Sequence, residues 1–167
     1  MDDRPLFVHD PTAASIEDRA AACLVLLYAQ HVTTIVALTV DDITVTSHGT
    51  YLKLGREPVR RLPAVADLIT ALPIVKPFGA ARTLADPKWL FPGKRAGHHQ
   101  HATSLMGRLN RFGIITRAGR NTAMLHLAAT VPPAVFASLI GIDVATATRW
   151  AEHVGGSWTK YAAQGSR

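Results

Sequence analysis

The spacing of apolar residues changes along this chain, and each change predicts a new element. An almost unbroken apolar run through Ala20, Leu24, Val25 and Leu27 to Tyr28 predicts a buried helix, with Ser15 as its N-cap and Asp18 in its first turn. Val32, Ile35, Val36 and Leu38 keep helical spacing toward Asp41 and Asp42. The period then drops to two. Ile43 and Val45, a Ser47-His48-Gly49 turn, Tyr51, Leu52 and Leu54, a Gly55 turn, and residues 59–62 predict a small antiparallel sheet. Pro58 lacks the N–H that a ladder needs on both sides, so its strand belongs at an edge.

Helical spacing returns after Pro63, which suits a first helical turn, and Pro73 and Pro77 end that helix after Leu72. Residues 76–97 read as a loop anchored by Trp89-Leu90-Phe91-Pro92. Helices follow over 101–112, 117–130 and 133–140. Gly141 closes the third, Asp143 caps a fourth that runs to about Val154, and Gly155-Gly156 is expected to end it ahead of a tail bearing Trp158 and Tyr161. Residues 1–15, with Pro5 and Pro11, read as an arm or linker remnant, and 16–167 as one domain. The fold class is mainly α with a small three-stranded antiparallel sheet, α+β.

Composition adds three constraints. A hydrophobic fraction of 48% over 167 residues is enough for one sizeable core, while the longest apolar stretch is about half of a bilayer span. Neither a membrane segment nor a signal peptide is expected. Cys23 is the lone cysteine, which excludes an internal disulfide and a Cys-based zinc site and fits a reducing cytoplasm. The formal charge of +6 is unevenly spread. Residues 1–50 hold seven acids against two bases. In 76–120, Lys76, Arg82, Lys88, Lys94, Arg95, Arg108, Arg111, Arg117 and Arg120 face only Asp86. Such segregation points to a polyanionic partner, because clustered Lys and Arg neutralise phosphates.

The order of helix, three short strands, Trp-Leu-Phe-Pro and further helices resembles the catalytic domain of tyrosine recombinases and phage integrases, from about Ser15 onward. The resemblance is carried by Thr39-Val40-Asp41-Asp42-Ile43 after an apolar helix and by Lys53-Leu54-Gly55-Arg56-Glu57 with Leu62-Pro63, similar to the family's lysine hairpin. Leu90-Phe91-Pro92, Arg117-Ala118-Gly119-Arg120 and Leu139-Ile140-Gly141 complete it. That family needs two arginines and a histidine or tryptophan around the phosphate, a lysine to protonate the leaving oxygen and a tyrosine to attack. The resemblance implies that Lys53 and Arg120 are retained. Arg117 stands in the histidine's place of the histidine-x-x-arginine box, and the first arginine falls at His31, with Thr34 one turn further on.

The remaining positions fall at Ile142, which neither donates a hydrogen bond nor carries a proton, and at Ala151, which cannot attack phosphorus. Tyr161, ten residues past Ala151, is too late in the chain to replace the nucleophile. The resemblance therefore implies a double-stranded DNA partner, nucleoid association and no intact catalytic set, with Lys53, Arg117 and Arg120 as positional remnants. No cofactor is called for. It leaves room for assembly as a homo-oligomer or within a larger recombinase-like complex.

Residues 136–150 also read as a helix-turn-helix, with Ala137 and Gly141 allowing a close crossing and Thr146, Thr148 and Arg149 available to DNA. On the 101–112 helix, Leu105, Leu109 and Phe112 form the core face and leave Arg108 and Arg111 as phosphate contacts. The candidate DNA-binding residues are thus Lys53, Arg56, Lys94, Arg95, Arg108, Arg111, Arg117, Arg120, Thr146 and Arg149. His98, His99 and His101 crowd one turn with no carboxylate close in sequence, so no metal site is expected. Three alternatives stay open: an active recombinase with displaced residues, a helix-turn-helix regulator, and a protein-interaction module with a basic face.

Overall fold

The structure is a computed structural model that describes residues 14–55, 58–60, 62–72, 89–95 and 97–164, with 156–164 described as backbone. Helix α1 (Ile16–Tyr28) begins where Ser15 Oγ accepts the Asp18 N–H at 3.1 Å, so the predicted N-cap forms. Its apolar run is buried on nearly every side, as a helix without a polar face must be. The short α2 (Val32–Val36) follows. A 3-10 turn over Val40–Asp42 comes next, where Asp42 Oδ2 accepts from the Thr39 N–H and hydroxyl at 2.8 and 2.9 Å.

Strands β1 (Ile43–Thr46), β2 (Gly49–Lys53) and β3 (Pro58–Arg60) form one antiparallel sheet in the order β1-β2-β3. Ile43 pairs with Leu52, and Pro58 pairs with Lys53 on the edge strand, where a residue without an N–H is tolerated. Thr50 and Leu52 turn inward on β2, which packs against α3 (Pro63–Thr70). The mainly helical fold with one small antiparallel sheet is as the sequence predicts.

The Trp89-Leu90-Phe91-Pro92 plug is real. Leu90 and Phe91 are buried, and the Leu90 N–H donates to Leu38 O at 2.8 Å. Helices α4 (Ala102–Arg111), α5 (Thr116–Thr130), α6 (Pro133–Ile140) and α7 (Val144–Gln164) complete the body. The larger core joins Leu24, Val25, Ile35, Leu52, Ile69, Phe91, Leu105 and Leu109. A smaller one holds Ala29, Met124, Phe136, Ala137 and Ala147, with Ile142 and Trp150 against its rim. None of the helices among the described residues is long and apolar enough to cross a membrane.

One element differs from expectation. Helix α7 runs through Gly155 and Gly156 to Gln164 instead of ending at the glycine pair. Glycine in a helix costs about 1 kcal/mol relative to alanine, which is too little by itself to end a helix whose hydrogen-bond ladder continues on both sides. By contrast Gly141, at φ 79°, does end α6. Residues 1–13 of the expected arm and 73–88 of the basic loop, with Lys76, Arg82 and Lys88, lie outside the described residues.

Candidate functional site

A cleft of about 470 Å³ opens where the end of α1 meets the first turns of α4 and α5. It exists because the chain reverses sharply after α1. Ala29 takes the left-handed conformation, φ 52°, and the N–H groups of Ala29 and Gln30 both return to Leu24 O. Glycine would adopt this conformation more easily, but the Ala29 side chain is buried in the smaller core. The buried Gln30 amide then pins the reversal by donating to Tyr28 O at 2.8 Å and Leu139 O at 3.0 Å. His31, next in the chain, is thereby carried to the cleft wall.

The opposite wall is α5, whose first turns contribute Thr116, Arg117, Arg120 and Asn121. Helices α1 and α5 approach closely at Gly119, where an added Cβ would stand 2.6 Å from Leu26 Cδ2. That approach brings Arg120 to His31. Thr103 and Met106 of α4 close a third side. The N-termini of α4 and α5 both border the cleft, and among the described residues no side chain caps either one, so their positive dipole ends face it uncompensated.

Cationic groups dominate the electrostatics. Among the described residues no Asp or Glu lines the cleft. The Arg120 Nε is buried and has no hydrogen-bond partner there, and burial lowers the guanidinium below its ordinary pKa. Burial, and then the Arg120 charge, hold the His31 imidazole below its usual 6.5. An arginine remains charged through such a shift, whereas the histidine is pushed further toward its neutral form. The arrangement can receive an anion of phosphate size and donate to it from two guanidinium groups.

The sequence-predicted residues divide. Arg117 and Arg120 meet in the cleft with His31. Lys53 is exposed at the end of β2, two residues before Gly55, which rests on the last turn of α6 so closely that an added Cβ would overlap Ser138 O. Since Leu139 O of that turn holds Gln30, a chain of short contacts links the lysine hairpin to the cleft. Lys94 and Arg95 are exposed in the loop that Gly93 N–H to His98 O closes ahead of α4. Arg108 is otherwise engaged, its Nε donating to the buried Asp18 carboxylate at 2.7 Å, and neither it nor the exposed Arg111 lines the cleft. Arg56 lies outside the described residues, as does the Tyr161 side chain.

On α7, Asp143 accepts from the Thr146 N–H at 2.8 Å and hydroxyl at 2.7 Å, and Arg149 donates to Thr146 Oγ1 at 3.1 Å. The Thr146 hydroxyl bond, with help from its N–H, holds the Asp143 carboxyl below its usual pKa. Thr146 is therefore first a capping residue, while Arg149 stays exposed. His99 packs edge-on against Trp89 at 4.9 Å, and no group of three metal-ligating side chains converges among the described residues. Sequence reasoning did not single out Gln30, Thr116 or Asn121. Their only signal is position, one residue from His31, Arg117 and Arg120.

Fold and site together define a mainly helical α+β domain with a cationic cleft between helix ends. Comparison with protein families, curated proteins and solved structures finds no match.

Proposed function

We propose that this protein binds double-stranded DNA without cutting it, holding a backbone phosphate in the cleft between the α1–α2 junction and α5. The observation that carries this reading is the meeting of Arg117, Arg120 and His31, from distant parts of the chain, around one acid-free cleft in which the Arg120 Nε has no partner among the described residues. Leaving a buried charged donor unpaired costs about 1–3 kcal/mol or more, which a bound phosphate oxygen would recover. The resemblance to tyrosine recombinases supports the same choice, since these are the positions it assigns to phosphate handling. It also argues against strand transfer: Ile142 and Ala151, which stand where that chemistry needs a proton carrier and a nucleophile, carry neither function.

The test is duplex binding by fluorescence anisotropy at two salt concentrations, with Arg120→Ala beside the parent. The variant should bind more weakly and lose about one unit of salt slope, as expected for one lost phosphate contact. Unchanged binding by the variant at both salts would remove the cleft from the interface. A second reading, in which α6 and α7 act as a helix-turn-helix, is favoured by the left-handed Gly141 turn between them and the exposed Arg149.

A further inference from the structure

Among the described residues that line the cleft, His31 is the one group whose charge changes near neutral pH, and its surroundings are one-sided. From α5 it faces Arg117 and Arg120. Its own segment brings Gln30, Val32 and Thr33, and α4 brings Ala102, Thr103 and Met106, none of which ionises. His101, the residue before Ala102, is exposed at the start of α4. With no carboxylate among the described lining residues, nothing there favours the imidazolium until an anion enters.

We propose that phosphate capture in this cleft is coupled to uptake of one proton by His31, so that the site closes on its anion in mildly acidic solution and releases it as pH rises. This rests on the reading of the cleft as a phosphate site and adds its regulation. With no anion bound, partial burial of the otherwise exposed His31 and the Arg120 charge oppose protonation. A bound phosphodiester reverses the balance, because its negative charge lies between the guanidinium groups and the imidazole and is stabilised by a third cationic donor. The proton comes from solvent and goes to the ring nitrogen that lacks one. Below the free protein's His31 pKa the ring is already charged and affinity is flat. Between the free and bound values, affinity falls with rising pH toward a tenfold loss per unit, the limit for one proton. Arginine at this position would hold the anion at every pH. Histidine makes the grip conditional.

Two probes keep their charge across the range, a DNA duplex and sulfate, so any pH dependence belongs to the protein. Duplex affinity of the parent should fall about tenfold between about pH 6 and about pH 8. His31→Gln should flatten most of that fall, and His31→Arg should bind tightly at both values. Separately, the His31 ring resonance in the intact parent protein should titrate below 6.5 without ligand and move upward with sulfate, while Arg120→Gln raises the ligand-free value. If His31→Gln keeps the parent's pH profile, or if sulfate leaves the His31 titration where it was, the coupling is wrong. If sulfate shifts His31 but the duplex does not bind at any salt, the gated anion site stands and the DNA reading falls.

Discussion

At the scale of single residues, two glycines with close neighbours should respond differently to the same methyl group. At Gly55 the obstacle is the Ser138 carbonyl, a backbone atom at the end of α6, so Gly55→Ala should cost about 2–3 kcal/mol in chemical denaturation. At Gly119 the obstacle is the tip of the Leu26 side chain, which can rotate, and alanine gains helix propensity. Gly119→Ala should stay within about 1 kcal/mol of the parent. Arg108→Ala strands the Asp18 carboxylate inside the protein and should destabilise by about 3 kcal/mol while leaving duplex affinity little changed, because that guanidinium already serves Asp18. Burial raises Cys23 to about 11, opposed weakly by Arg19. A thiol reagent at about pH 8 should therefore modify it only after unfolding.

Among the elements, α7 offers the clearest experiment. An added Cβ at Gly155 meets nothing within 4 Å, so Gly155→Ala should stabilise the protein by about 0.5–1 kcal/mol and slow amide exchange along the second half of the helix. Faster exchange, or a helix that ends at 154, would restore the break that the glycine pair implies. The Asp143 cap has a definite sign. Its folded pKa lies below the unfolded value of 3.8, so its contribution to stability is present above that value and fades as pH falls through the lower folded one. Asp143→Ala should lower the melting temperature at neutral pH and lose that disadvantage in strong acid.

For the whole molecule, the proposed DNA binding can be tested surface by surface. Lys94→Ala with Arg95→Ala should weaken duplex binding and reduce the salt slope by about one unit per lost contact, leaving sequence preference unchanged. Arg149→Ala separates the two docking modes. If α7 reads bases, the variant relaxes specificity at one position by about 1–3 kcal/mol; if the cleft alone binds, it acts as a lost phosphate contact at most. No covalent adduct should form on nicked duplex, and a tyrosyl adduct at Tyr161 found by mass spectrometry would overturn the non-catalytic reading. Should none of the basic substitutions alter binding at any salt, the basic face is not a DNA site and the protein-interaction reading takes the lead.

Local rules in the sequence were sufficient for most elements. Ser15, Pro63 and Gly141 act within a few residues of themselves, through a cap, a fixed φ and a left-handed turn, and Pro58 excludes itself from an interior strand wherever the sheet lies. The apolar spacing likewise marked Leu105 and Leu109 as core. Position within a family-like pattern grouped Lys53, Arg117 and Arg120, with His31 where an arginine is lost; the cleft brings His31, Arg117 and Arg120 together and leaves Lys53 outside its described lining. Tertiary packing decided the rest. Nothing near Arg108 in sequence announces Asp18, ninety residues away, as the carboxylate that takes it out of the free basic surface. Gln30 becomes a buried strut only because α6 presents Leu139 O to it. The cationic cleft itself is written in no segment, since its charge comes from α5 and the α1–α2 junction, and the lack of acids among its described lining residues depends on which side chains those elements turn toward one another. Capping and turn preferences are short-range and legible in order along the chain, whereas ion pairing and desolvation depend on distances that exist only after the helices have packed.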